Sequence, residues 1–173
     1  MPAITSKQMS SAENLSTAIG RLQNACSRRE YCSSDVLNKA LKILEGDREA
    51  AAKVLAKLLE DGYVDDMRYA RAYCRDKASL AGWGETKIRY MLKSKGLSRD
   101  VINNAIEEID EDRAAERLQK LLSAKLRSLK KDDRQIRLKL IRYAMGRGYS
   151  YETVSDLADH LIEASFSSEA SDL

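Results

Sequence analysis

The chain has 173 residues, a formal net charge of only +3 and a single proline at position 2. This length is enough to bury a core, and the near absence of proline favours helices along the whole chain. Three cysteines without a C-x-x-C pair and one histidine argue against disulfides, a zinc site or another cofactor. No apolar run reaches the roughly 18 residues of a membrane span and residues 1–11 do not resemble a signal peptide, so we expect a cytoplasmic all-α protein.

The first predicted unit covers residues 14–64. Gly46 and Gly62 each follow an apolar helical pattern, as expected of helix ends, and Asp47 is a candidate N-cap for the helix between them. The predicted helices of this unit cover residues 15–31, 34–44 and 48–60.

Two further units of the same plan follow. The second covers residues 65–110, with Asp65 as the N-cap of its first helix, and the third covers residues 111–164. In the third unit, Asp132 or Asp133 is expected to cap the middle helix. The other predicted helices of these two units cover residues 65–80, 85–95, 99–109, 111–129 and 151–164.

A helix end, a glycine and a new N-cap recur three times, with glycine offsets of 50 and 52 residues. This period predicts three tandem three-helix repeats that stack into an elongated, curved array. Residues 1–13 and 165–173 are rich in serine and small residues, and we expect them to be flexible tails. The recurring pairs are Gly46 with Asp47, Gly96 with Ser98, and Gly148 with Ser150.

The charges fall into bands of alternating sign. Residues 67–99 hold nine basic and two acidic side chains, and residues 100–112 hold six acidic and no basic ones. Residues 113–147 hold twelve basic and three acidic side chains, and residues 148–173 hold six acidic and no basic ones. Such segregation favours a binding surface over a merely solvated one, although acidic helices pairing with basic neighbours would produce the same pattern.

Helical spacing gathers several basic residues on common faces. The arginines at 68, 71 and 75 share one face, and the cations at 89 and 93 share another. Like charges at this spacing repel each other, so an external anion would relieve them. The alternative for each residue is an ordinary solvated helix face. The candidate contacts are Arg68, Arg71, Arg75, Lys87, Arg89, Lys93, Lys139 and Arg142.

The remaining polar and aromatic residues do not indicate catalysis. His160 lies among acidic residues near the end of a predicted helix, where an exposed position is expected, and the glycines beside Trp83 lack the spacing of a phosphate-binding loop. We expect Trp83 to anchor two helices at a sharp turn. Four tyrosines could stack on bases, but aromatics at helical spacing are usually part of a core. They are Tyr63, Tyr69, Tyr73 and Tyr90.

A set of short motifs resembles the RecX family of RecA regulators. The stretch LEDGYVDDMRYA over residues 59–70 is similar to the family signature, and the similarity is strongest over residues 28–109. Residues 46–52 depart from the family pattern, because an alanine-rich opening replaces a more apolar helix start. The further matching positions are Arg28, Arg29, Glu30, Tyr31, Ser33, Arg75, Gly82, Trp83, Gly84, Lys87, Ile88, Arg89, Leu92, Lys95, Gly96 and Leu97.

The resemblance implies three tandem three-helix repeats and a non-enzymatic role. It implies a monomeric modulator that lodges in the RecA filament on single-stranded DNA, where it limits strand exchange, ATP turnover and coprotease activity in DNA repair and the SOS response. Two other functions stay open at this point. One is an autonomous DNA-binding protein that reads duplex DNA with a helix-turn-helix-like pair, and the other is a helical scaffold for an acidic protein partner.

Overall fold

The computed structural model describes residues 6–130 and 134–170, and in these two segments the chain forms nine helices and no strand. The all-helical fold is therefore confirmed. The helices are α1 (Ser6–Cys26), α2 (Ser33–Ile43), α3 (Arg48–Glu60), α4 (Asp66–Ser79), α5 (Glu85–Ser94), α6 (Arg99–Ile106), α7 (Glu111–Arg127), α8 (Ile136–Met145) and α9 (Tyr151–Ala170).

Each group of three consecutive helices surrounds its own hydrophobic core. Val54 and Leu58 are fully buried in the first unit, Ile88 and Leu92 in the second, and Leu122 in the third. Burying one such side chain contributes about 1.5–3 kcal/mol. The three cores are separate clusters, which is the arrangement of tandem repeats in a row.

The alanine-rich opening of α3 also contributes to the core. Ala51 is completely buried, one helical turn before the buried Val54. A methyl side chain leaves little distance between the packed backbones, so α3 lies close against α2 without a large apolar residue at this position. The alanine-rich opening is therefore part of the packed face of α3.

The three recurring glycines adopt the conformation that their positions predict. Gly46, Gly96 and Gly148 have φ values of +93°, +80° and +91°. In this left-handed region a Cβ atom is unfavourable, so glycine is preferred where a helix ends. The first unit differs, because Glu45 precedes its glycine with a φ of +52° and is the one non-glycine residue with positive φ in the described segments.

The predicted N-caps Asp47, Asp65, Ser98 and Ser150 are confirmed. Asp65 accepts hydrogen bonds from two amides of the first turn of α4, at 2.8 and 3.0 Å. Each such cap contributes about 1 kcal/mol by satisfying amides that have no partner inside the helix. The three caps that follow the recurring glycines are Asp47 on the Ala50 amide at 3.0 Å, Ser98 on the Val101 amide at 3.3 Å, and Ser150 on the Thr153 amide at 3.1 Å.

Some helix bounds differ from the prediction. The first helix ends at Cys26 and not at residue 31. The Arg28 amide donates to the Ala25 carbonyl at 3.2 Å in a tighter turn, and the chain then buries Cys32. Cys32 packs into the core of the second unit, and this long-range contact overrides the local helical pattern.

The structure also differs from the prediction near the two ends of the chain. α1 already begins at Ser6 and α9 continues to Ala170, so both predicted tails overlap residues that are helical. The proposed caps Asp132 and Asp133 lie outside the described residues, and α8 begins at Ile136.

The second and third units meet through main-chain atoms. The Gly84 amide donates to the Arg147 carbonyl at 2.8 Å, and the Thr86 amide donates to the Gly148 carbonyl at 3.2 Å. A Cβ added at Gly148 would lie 2.5 Å from the Lys87 amide nitrogen, closer than a real Cβ atom approaches. The amino end of α5 is therefore pressed against the turn that follows α8. We call this contact the glycine joint.

The first and second units meet at the equivalent ends of their helices. The Ser34 hydroxyl, at the amino end of α2, donates to the main-chain carbonyl of Lys95 just after α5, at 2.6 Å. The Lys95 ammonium pairs with Asp35 at 2.8 Å, and both side chains are more than two-thirds buried. In both junctions, the second helix of one unit begins where the second helix of the next unit ends. The helix dipoles therefore meet positive end to negative end.

Candidate nucleic-acid interface

The basic face of α4 is only partly available to a partner. Arg68 pairs with Glu30 at 2.7 Å and also donates to two main-chain carbonyls just after α3, so it links the first and second units. Arg71 pairs with Glu108 at 2.7 Å across the second unit. Arg75 is exposed, and no ion pair to it occurs in the described segments. The three arginines share one face as predicted, but two of them are neutralised by carboxylates of this chain.

The cations at the amino end of α5 are also engaged. The Lys87 ammonium lies 4.4 Å from the centre of the Trp83 ring, a cation–π contact beside the glycine joint. The Arg89 guanidinium donates to Glu85 at 2.6 Å and to the Asn103 side-chain oxygen at 2.7 Å. Arg89 is therefore held in one orientation along the wall between α5 and α6.

A groove of about 640 Å³ lies between α5 and α6. Leu97 and Ile102 are nearly buried and form its floor. Lys93 and Arg99 are exposed at its edge, and neither forms an ion pair within residues 6–130 and 134–170. We call this feature the α5–α6 groove, and it is lined by Arg89, Tyr90, Lys93, Leu97, Arg99, Ile102 and Asn103.

Tyr90 does not belong to the core, and the expectation that it would is wrong. Its side chain is 71% exposed, whereas Tyr69 is buried and Tyr63 and Tyr73 pack partly against the cores. Residue 90 is two positions from both Ile88 and Leu92, which is about 200° around a helix from each. The buried face of α5 therefore places Tyr90 on the solvent side, and the spacing alone contains this information.

Helical spacing did not identify Arg99 as a candidate contact, although it is the first residue of α6. Its charge was included in the basic band, but helical spacing does not relate it to the cations of α5. Only the turn through Gly96 brings the two helix ends together, with Arg99 and Lys93 along the same groove. A glycine turn followed by a basic N1 residue was the available signal.

In the third unit the two candidate cations lie on the outer face of α8. Lys139 and Arg142 are exposed, whereas Ile136, Ile141 and Ala144 are buried against the core. A neighbouring arginine on the same helix is not available, because Arg137 binds Asp159 through two contacts of 2.6 and 2.9 Å.

A second cavity, of about 750 Å³, lies between the second and third units. Trp83 and Tyr149 contribute aromatic surface to it, and three carboxylates line it, from Glu85, Glu107 and Glu111. Arg89 is the one basic residue in its lining. This balance of charge repels phosphate, so the cavity does not fit a polyanion.

Trp83 anchors the turn before α5, as predicted. Its ring meets Tyr73 edge to face at 6.4 Å between ring centres. The ammonium groups of Lys77 and Lys87 lie 4.9 and 4.4 Å from the ring centre. Edge-to-face pairs contribute about 0.5–1.5 kcal/mol, so this cluster stiffens the turn that carries the glycine joint.

The other reactive side chains lie away from any common site. His160 is exposed on α9. Burial raises the pKa of the Cys74 thiol to about 11, so this buried cysteine is a poor nucleophile. Where the structure describes the chain, no three potential metal ligands cluster, and no helix has the length and apolar content needed to cross a membrane.

Two family profiles match consecutive parts of the chain. The profile described as "RecX, second three-helix domain" matches residues 65–106, and "RecX, third three-helix domain" matches residues 111–157. These matches coincide with helices α4 to α6 and with α7, α8 and the first part of α9.

Proteins named "Regulatory protein RecX" are similar to this chain. The protein of Clostridium botulinum strain Eklund 17B is 35% identical over 119 residues, which cover 67% of this chain and 55% of that protein. The protein of Prosthecochloris aestuarii is 32% identical over 134 residues, which cover 78% of this chain and 86% of that protein. The chain thus spans little more than half the length of the two Clostridium botulinum relatives.

Two crystal structures share the fold. The one titled "Crystal structure of regulatory protein RecX" has a TM-score of 0.74 at 24% identity, covering 91% of this chain and 79% of the other. RecX from Lactobacillus salivarius has a TM-score of 0.69 at 18% identity, covering 87% and 97%. Since 32% identity extends over most of the Prosthecochloris protein and two successive domain profiles match, the chain belongs to the RecX family of regulatory proteins.

Proposed function

We propose that this protein is a non-enzymatic, monomeric cytoplasmic regulator that binds the RecA filament on single-stranded DNA. In this role it limits strand exchange, ATP hydrolysis and coprotease activity during DNA repair and the SOS response. Family membership supports the regulatory part of the proposal. The observation that carries the filament-binding part is a set of exposed cations on the second and third units, Arg75, Lys93 and Arg142, which form no ion pair within residues 6–130 and 134–170.

The arrangement of units fits a polymeric partner. The exposed cations belong to two units whose relative placement is fixed by the glycine joint, so they form one rigid set of contacts. A repeating polymer offers the same phosphate or carboxylate groups at regular intervals, and a rigid row can meet several of them at once. Contacts that span neighbouring filament subunits would restrict their motion without any catalysis by the regulator.

The internally paired candidates have a different role in this proposal. Arg68 links the first and second units and Arg71 links helices of the second unit, each through a carboxylate of the chain. Arg89 pairs with Glu85 inside α5 and donates to the Asn103 side chain of α6. Breaking such a pair to contact a partner would remove one interaction while forming another. The net gain in binding is therefore smaller at these three positions than at the exposed cations.

The proposal is tested with purified protein added to RecA filaments already formed on single-stranded DNA. ATP hydrolysis and strand exchange should both fall at equimolar or lower ratios. The double variant Arg75→Ala with Arg142→Ala should weaken this inhibition, whereas Lys42→Ala, which removes an exposed cation from the first unit, should not. Unchanged filament activity at an equimolar ratio of wild-type protein would refute the proposal.

The same preparation separates the other two functions. A reader of duplex sequence would bind one duplex far better than others, with discrimination of about 1–3 kcal/mol per base contact. A scaffold for an acidic protein would bind its partner equally well after nuclease treatment.

A further inference from the structure

We propose that the α5–α6 groove is a binding site for one unpaired nucleotide of a single-stranded nucleic acid. In this site the base stacks on Tyr90, and the flanking phosphates contact Lys93 and Arg99. The inference rests on the proposed function and deepens it, because it assigns part of the filament contact to the DNA strand and to one place on the second unit.

The position of Tyr90 is the first observation. Its ring is 71% exposed on the solvent side of α5, and no ring or cation–π contact to it occurs in the described segments. By contrast, Tyr69 and Trp83 each contact the ring of Tyr73 in a tilted or edge-to-face arrangement against the core of the same unit. An accessible aromatic face is the feature that unpaired bases use for stacking, at about 1–3 kcal/mol per base.

The charges around the ring are the second observation. Lys93 is one turn from Tyr90 on α5, and Arg99 begins α6 across the groove. Both cations are exposed and have no ion pair in the described residues, although the carboxylate of Asp100 is adjacent to Arg99 in sequence. The amino end of α6 adds the positive end of a helix dipole near Arg99. An anion at this edge would therefore meet two cations and the end of a helix.

The shape of the groove is the third observation. Its volume of about 640 Å³ lies within the range of about 300–1,000 Å³ that is typical of small-molecule sites. Leu97 and Ile102 give it an apolar floor on which a base can rest. Hydrogen bonds to Glu85 and Asn103 hold the Arg89 side chain in place as one wall of the groove. Because this side chain is already ordered, binding loses little of its conformational entropy.

These observations favour a single strand over the other polyanions. An acidic peptide would use Lys93 and Arg99 but has no need of an exposed aromatic face. A duplex offers its phosphates but keeps its bases stacked inside the helix, where Tyr90 cannot reach them. Only an unpaired nucleotide uses the ring, the floor and both cations together.

The proposal is tested by fluorescence anisotropy with a labelled oligothymidylate of about 16 nucleotides, within the size of known single-strand sites. A second strand of equal length carries abasic residues in place of the bases. Wild-type protein should prefer the base-containing strand by about 5- to 150-fold, the range that corresponds to one stacked base. Tyr90→Ala should abolish this preference, and Tyr90→Phe should retain it.

The cationic residues are tested with the same two strands. Lys93→Ala and Arg99→Ala should weaken binding of both strands equally, and each should lower the slope of log affinity against log salt by about 0.7. Lys42→Ala, an exposed cation on the first unit, is the matched control and should leave the slope unchanged. Circular dichroism of every variant verifies that the helices are intact.

The outcomes are distinguishable from those of the filament experiment. If Tyr90→Ala binds both strands as the wild type does, or loses affinity equally for both, the nucleotide site is refuted even where filament inhibition persists. If the wild-type protein leaves filament activity unchanged but shows a Tyr90-dependent preference for bases, the proposed function fails and the nucleotide site stands.

Discussion

Replacing Gly148 with alanine should destabilise the glycine joint for two reasons. The alanine would adopt an unfavourable φ, and its Cβ would collide with α5. Gly148 has a φ of +91°, where an L-residue costs about 1–2 kcal/mol. The new Cβ would also lie 2.5 Å from the Lys87 amide nitrogen and 3.0 Å from its Cα, both main-chain atoms of α5. Overpacking of this kind costs about 1–3 kcal/mol. The expected loss in the free energy of unfolding is therefore about 2–5 kcal/mol.

The matched control is Gly46→Ala in the first unit. Gly46 has almost the same φ, +93°, but a Cβ added there would meet no heavy atom within 4 Å. This variant should therefore lose only the backbone cost of about 1–2 kcal/mol. The difference between the two variants measures the contact between the second and third units.

Urea unfolding, monitored by circular dichroism and by tryptophan fluorescence, measures both losses. Trp83 is the only tryptophan of the chain and is next to Gly84 in the joint, so its emission reports on this place. In thermal unfolding, each kcal/mol should correspond to about 2–4 °C for a chain of this size. If Gly148→Ala and Gly46→Ala lose the same free energy, close main-chain contact does not hold these units together and the reasoning is refuted.

Three further changes test other parts of the fold. Glu45→Gly should raise the free energy of unfolding by about 1 kcal/mol, because it removes a side chain from a φ of +52°; a lower urea midpoint would contradict this. Lys95→Met should cost about 1–3 kcal/mol, because it leaves the partly buried Asp35 carboxylate unpaired; additive losses for Lys95→Met and Asp35→Asn in a double-mutant cycle would show that the two groups do not interact. At about pH 8, Ellman's reagent should modify the half-buried Cys26 before the buried Cys74, because burial raises the pKa of the Cys74 thiol to about 11. Equal rates of modification would argue against a closed core around Cys74.

Local signals predicted the parts of the fold that depend on neighbouring residues. Gly96 and Ser98 show why, because a left-handed glycine and an N-cap serine satisfy backbone groups within a few positions of themselves. The same logic applied to all three units and gave their order and their turns. It failed at residues 27–32, where the helical pattern continues but Cys32 is drawn into the core of the next unit.

The candidate site was less predictable because pairing partners lie far apart in sequence. Arg68 and Glu30 are separated by 38 residues, and Arg71 and Glu108 by 37, so helical spacing could not show that these charges meet. The alternating charge bands indicated that ion pairs could form within the chain, but they did not indicate which basic residue pairs with which acidic one. Tyr90 is a different case, because its solvent position followed from the spacing of its buried neighbours and was overlooked.

The glycine joint has a consequence for how this chain can change over evolutionary time. Because the joint uses main-chain amides, main-chain carbonyls and glycines, it restricts very few side chains. Surface residues on either side can be exchanged while the spacing of the units is preserved. Such a design suits a protein whose overall shape agrees with a relative at a TM-score of 0.74 although only 24% of the residues are identical.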